Sequence, residues 1–172
     1  MQTKRAKTGF AGEYFIYSQL LKEDKNCFIT LGNAKAVDLI IIDKNKKAHT
    51  IDVKSTSTLM NNTHKHPDFD PSSGKISRWQ LPISIFWQTH YANQNKTTYE
   101  YADFYIFHNI HSLFQNIIVT ADELCTVMHR RIDQYLQNTN SKEILPKHLC
   151  NWDVCDYCFH EFRQYNNWNK LT

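Results

Sequence analysis

Four residues in roughly the first third of the chain stand where a charge is costly unless it is used. Glu13 falls three residues after Phe10 and four before Tyr17, so on a helix it lies inside the apolar stripe and its carboxylate points inward. Asp38 sits at the mouth of the most hydrophobic run, Val37 to Ile42, where a buried charge needs a partner or a metal. Asp52 and Lys54 are two apart in HTIDVKS and project from the same face of a strand whose other face is apolar. Taken singly, Glu13 reads as a snorkelling helix-boundary carboxylate, Asp38 as an edge charge, and Asp52 with Lys54 as a surface ion pair. Together, three carboxylates beside a lysine meet the requirements of an oxygen-ligand divalent-metal site for phosphoester hydrolysis. Hard Mg²⁺ or Mn²⁺ prefers carboxylate oxygens, and a neighbouring lysine can hold or help deprotonate the attacking water.

The elements that must position these residues follow from the hydrophobic pattern. From Gly9 to about Glu23, Phe10, Tyr14, Tyr17, Leu20 and Leu21 recur at helical spacing, with Thr8 as the N-cap. A short β-like stretch spans Asn26 to Leu31, and Val37 to Ile42 predicts a strand buried on both faces. The polar turn DKNKK leads into His49 to Ser55, whose alternation puts His49, Ile51 and Val53 on one face and Thr50, Asp52 and Lys54 on the other. These two strands form a hairpin. From Ser55 to about Ser77 the pattern predicts a long polar loop, a frequent place for lids and binding segments. Arg78 to Tyr91 is ambiguous between strand and helix.

Asp103 to His108 and Asn116 to Thr120 extend the sheet. Thr120 and Glu123 then form the T-x-x-E of a capping box, followed by Leu124, Met128, Ile132 and Tyr135 at helical spacing. Val154, Cys158, Phe162 and Tyr165 again repeat helically. The expectation is a single α/β domain over residues 1–172, a mixed sheet flanked by helices, with a core of about 8–138 and a C-terminal helical extension of about 147–172.

Composition narrows the setting. The chain has 172 residues, 41% hydrophobic and 22% charged, with 4 Gly and 4 Pro, which suits one folded domain and not a disordered tract. A net charge of +3 is too mild for a polybasic binder of phosphate backbones. No apolar run approaches the roughly 20 residues of a membrane span, and the N-terminus MQTKRAKTGFAGE is basic and polar, so neither membrane insertion nor secretion is expected. Five cysteines, an odd count, fit a reducing cytoplasm better than a disulfide framework.

The helix with GFAGE, the strand VDLII and the strand IDVK, in that order, resemble the PD-(D/E)XK nuclease superfamily, the restriction-endonuclease-like and Holliday-junction-resolvase-like fold. Glu13 would match the helical glutamate, Asp38 the acid of the second strand, and Asp52-Val53-Lys54 the (D/E)-x-K. Ala36 and Val37 precede Asp38, so the Pro-Asp dipeptide is absent, as in many members. The resemblance implies Mg²⁺-dependent (or Mn²⁺-dependent) hydrolysis of a phosphodiester, more in DNA than in RNA. Asp38 and Asp52 would be ligands, Glu13 a ligand or support, and Lys54 would orient the water. Gln80, in RWQL, stands where relatives often carry a supporting glutamine. Substrate-backbone contacts could come from Lys4, Arg5, Lys7, the Lys44 to Lys47 turn, Arg78, Arg130 and Arg131. Restriction-type defence and recombination or repair both fit, and a homodimer would supply two cuts to a duplex.

Two rival readings remain. Cys150, Cys155 and Cys158, flanked by His148 and His160, are dense enough for a Zn²⁺ knuckle or an iron–sulfur ligand set, although Cys158 also fits an apolar helix face as a core thiol. His64 and His66 with Asp68 and Asp70 read as loop residues. The alternative function is a non-catalytic nucleic-acid-binding or interaction module that keeps the nuclease fold. The two functions separate on whether Glu13, Asp38, Asp52 and Lys54 meet around a cation.

Overall fold

A helix, α1 (Lys4–Lys22), opens the chain, its first turn closed by the Thr3 hydroxyl accepting the Ala6 N–H at 3.2 Å; the cap is thus Thr3, upstream of the expected Thr8. The computed structural model describes residues 3–30, 37–61, 75–82, 102–111, 116–140, 151–155, 159 and 166–171. The face that α1 buries differs from the expected aromatic stripe. Gly12, Ile16 and Leu20 are buried, whereas Phe10, Tyr14 and Leu21 are 47%, 55% and 49% exposed. A glycine at Gly12 lets the helix lie close on the sheet, and close approach, not side-chain bulk, decides which face turns inward.

Strands β1 (Asn26–Ile29), β2 (Leu39–Ile42) and β3 (Ala48–Thr56) form an antiparallel meander in which Leu39 pairs with Ile51 and Ile41 with His49. The β2–β3 turn is fixed by Asp43, whose Oδ1 accepts the N–H groups of Asn45 and Lys47 at 2.8 Å each. Strand β3 then pairs in parallel with β6 (Phe104–Asn109), and β6 pairs antiparallel with β7 (Ile117–Thr120), giving the order β1-β2-β3-β6-β7. Strands β4 (Leu59–Asn61), β5 (Lys75–Pro82) and β8 (Asn151–Cys155) form a second sheet in the order β4-β5-β8. The molecule is mixed α/β, as the pattern predicts.

Alternation along the strands makes two cores. On one side Ile16 and Leu20 of α1 meet Leu39, Ile51, Val53, Ile106 and Ile118, closed by Trp168 and Leu171 of a 3-10 helix (Trp168–Leu171). On the other, Tyr105, Phe107, Ile117 and Val119 meet Trp79, Leu81 and the buried face of α2 (Ala121–Thr139), namely Leu124, Val127, Met128 and Ile132. Helix α2 packs on β6 and β7, so β2 is buried on one face only: Leu39 and Ile41 are enclosed and Ile40 and Ile42 half-buried, not the double burial expected.

The Thr120–Glu123 capping box is present, and Lys170 Nζ adds an ion pair to Glu123 Oε2 at 2.6 Å. Thr120→Ala is expected to cost about 1 kcal/mol, read as a lowered midpoint in urea denaturation.

Two stretches depart from expectation. The polar segment after Ser55 is not wholly loop: β3 runs through Thr56, β4 follows, and β5 begins at Lys75 and makes residues 78–82 strand, the remainder of the ambiguous Arg78 to Tyr91 run lying outside the described residues. Val154 and Cys155, expected in a helix, lie in β8, because pairing with β5 from Arg78↔Cys155 to Pro82↔Asn151 outweighs a four-residue spacing that fits either state. Residues 62–74, His148, Cys150, Cys158, His160, Phe162 and Tyr165 lie outside the described residues.

Candidate active site

The site is built where β3, the residue before β2, and the first half of α1 meet. The alternation of β3 sends Ile51 and Val53 into the α1 core and leaves Asp52 and Lys54 together on the opposite face. Asp52 is 4% exposed, and Lys54 Nζ lies 2.6 Å from its Oδ2. The ammonium keeps part of its surface in water while its partner is enclosed.

Asp38 is clamped from both sides. Its N–H donates to the Ile51 carbonyl and its carbonyl accepts from the Thr30 N–H, each at 2.9 Å. Its carboxylate Oδ2 accepts the Val53 N–H at 2.7 Å, which aims the side chain across the hairpin at β3, beside the Asp52 carboxylate. Glu13 follows Gly12 on α1, half-buried, within the electrostatic reach of Asp38, Asp52 and Lys54. All four predicted residues, drawn from three separate segments, therefore share one locale.

The electrostatics are those of a crowded anionic site. Burial, offset by the Lys54 ammonium and raised again by Asp38, pushes the Asp52 carboxyl from 3.8 up to about 6. Burial likewise raises Glu13, and the charges of Asp38 and Asp52 raise it further. Among the described residues, no three Asp, Glu, His or Cys side chains stand close enough to share a single ion; Asp38 and Asp52 are the adjacent pair and Glu13 stands further back. The donor set still suits a hard divalent cation, because the Asp38 charge opposes ionisation of Asp52 and a cation between them would relieve that opposition. Lys54→Met should move the Asp52 carboxyl above about 6, since it deletes the favourable charge and leaves the burial; a ¹³C carboxyl NMR titration measures it.

Around these groups, Trp79 is a structural residue: it is buried and its Nε1 donates to the His108 carbonyl at 3.0 Å. Gln80 is exposed on β5 and lines a cleft that also takes in Lys54. Cys155 ends β8, and the rest of the cysteine-rich segment, like His64, His66, Asp68 and Asp70, lies outside the described residues.

Gly12 escaped the sequence reading. A Cβ there would collide with the Ser55 side chain on β3, so the missing side chain is what brings Glu13 to the carboxylates. The available signal was a glycine inside a helix, which costs about 1 kcal/mol against alanine and calls for a packing reason.

No family model matches the sequence, and no curated protein matches it. Among solved structures, the chain is similar to a bacterial homing endonuclease, I-Ssp6803I, at 12% identity, with a TM-score of 0.44 over 72% of this chain and 74% of that one.

Proposed function

We propose that the protein is a metal-dependent endonuclease that hydrolyses phosphodiester bonds in DNA. The observation that carries this reading is the meeting of Asp38, Asp52, Glu13 and Lys54 from a strand entrance, a strand interior and a helix, with Asp52 buried, bonded to Lys54 and raised to about 6. Asp38 and Asp52 would hold Mg²⁺ or Mn²⁺, with Glu13, further back, as electrostatic support. When bound, the ion would supply charge for the scissile phosphate and the departing oxygen. Lys54, fixed by Asp52, would orient a water for attack through its ammonium N–H groups.

The test is incubation of the purified protein with supercoiled plasmid, linear DNA and a branched junction, in Mg²⁺, Mn²⁺ or EDTA, following cutting activity through the protein's elution peak. Cutting that tracks the peak and stops in EDTA is expected. Absence of cutting on all three substrates overturns the proposal, and retained DNA binding in that case assigns a non-catalytic module.

A further inference from the structure

A cleft of about 580 Å³ opens beside the acids, walled by α1, β3, the residues after it and β5. Its lining is one-sided in chemistry. Among the described residues, Thr8, Ser57 and Thr58 bring hydroxyls, Gln80 an amide, and Lys54 and Arg78 positive charge, while no described Asp or Glu contributes to it. A surface of hydrogen-bond donors and cations without carboxylates fits an anion with several acceptor oxygens. The adjoining site is the reverse, with three carboxylates and a single ammonium. Lys54 belongs to both, so an anionic chain lying in the cleft would present its next phosphate at Asp52.

The strand carrying Arg78 is held in place. On β5, Ser77, Trp79 and Leu81 are buried while Arg78 and Gln80 alternate to the other face, and Trp79 is tied to the His108 carbonyl. Arg78 itself pairs through its backbone with Cys155 of β8. The strand thus fixes the point from which the guanidinium reaches the cleft, and its planar fork loses less freedom per hydrogen bond to a phosphate than a lysine ammonium does.

Resting on the nuclease reading, we infer that this cleft holds the phosphodiester backbone of the DNA strand next to the bond that is cut, with Arg78 as a positioning residue. The cleft volume lies within the range of ligand-holding pockets, about 300–1,000 Å³, and phosphate contacts of this kind set register on the nucleic acid without reading bases.

The experiment measures binding of a fluorescently labelled duplex oligonucleotide in EDTA, across a salt series, together with cleavage kinetics in Mg²⁺. Arg78→Gln is expected to weaken binding about 10-fold and to reduce the slope of log affinity against log salt by about 1. KM should rise about 10-fold with kcat within about 3-fold, the pattern of lost uniform binding. Arg78→Lys, which keeps the charge, should restore the slope, and Lys22→Gln at the far end of α1 should leave every value unchanged. Wild-type affinity and slope in Arg78→Gln would overturn the assignment of the cleft even if the protein cuts DNA. An Arg78-dependent slope in a protein that never cuts would support the cleft and remove the nuclease.

Discussion

Asp52→Asn is expected to abolish cutting, by about 10³-fold or more, while making the ion-free protein more stable. The first effect follows from removing one of the two adjacent carboxylates and the anchor of Lys54 in one step; charge stabilisation of several kcal/mol at the scissile phosphate would go with them. The second follows from burial. The Asp52 carboxyl titrates at about 6 in the folded chain against an ordinary 3.8, so between those values the native state holds a proton that the unfolded state has released. Stability must then fall as pH rises through that interval and level off above it. At about 1.4 kcal/mol per unit, the ionised form costs the native state about 3 kcal/mol. Asn is uncharged and similar in shape, and Lys54 stays partly hydrated, so most of that cost should be recovered. Thermal unfolding in EDTA at pH 5 and pH 7.5 would show wild type losing stability between the two and the variant losing less, the remainder belonging to Glu13. Added Mg²⁺ should raise the wild-type midpoint and leave the variant's where it was. Cutting by the variant at the wild-type rate would falsify the site.

Gly12→Ala should destabilise the fold strongly although it adds a single methyl to a helix. Helix propensity alone favours the substitution by about 1 kcal/mol. Opposing it, the new Cβ would fall on the Oγ and Cβ of Ser55. The Ser55 Cβ is fixed by the β3 backbone, and its Oγ is enclosed and makes no hydrogen bond among the described residues, so rotation of the serine gives no relief. Overpacking of this kind costs about 3 kcal/mol or more, and the clash wins. The helix must lift off β3, carrying Glu13 away from Asp38 and Asp52, so the cutting rate should fall with the unfolding midpoint. Two comparisons isolate the cause. Gly9→Ala, where a Cβ meets Glu13 Oε1 at an ordinary 3.8 Å, should be neutral or slightly stabilising. The pair Gly12→Ala with Ser55→Gly should recover much of the loss, as coupled neighbours do.

The ease of reading the site in the sequence and the difficulty of reading its supports have one physical origin. Asp52 and Lys54 were legible because strand alternation is local: two residues apart means one face. The capping box of α2 was legible for the same reason, since Thr120 and Glu123 satisfy each other within a single turn. The buried side of α1 was not, because periodicity weighs side-chain bulk and so selects Phe10, Tyr14 and Leu21, which the fold leaves half exposed. The true contact face is organised around a residue with no side chain. Likewise the course of Val154 and Cys155 depends on partners in β5 far away in sequence, and no local pattern carries that information. The bond from Val53 to Asp38 is intermediate: each residue was suspect by itself, but their meeting depends on the register of the β2–β3 hairpin.

That hairpin and the parallel seam beside it differ in how the chain can reach them. The strands bearing Asp38 and Asp52 close over a short turn, a search completed in microseconds for isolated hairpins. The seam between β3 and β6 joins residues 53 positions apart, as the bond from the Thr50 N–H to Asp103 Oδ2 marks, and closing that separation delays any reward in contacts. The two acids should therefore be brought into register early, on a three-stranded meander still open at its β3 edge. Completion of the sheet, and with it burial of Asp52, comes later. Because the entropy of closing a loop grows only with the logarithm of its length, the separation between β3 and β6 governs the order of these events more than the stability of the finished sheet.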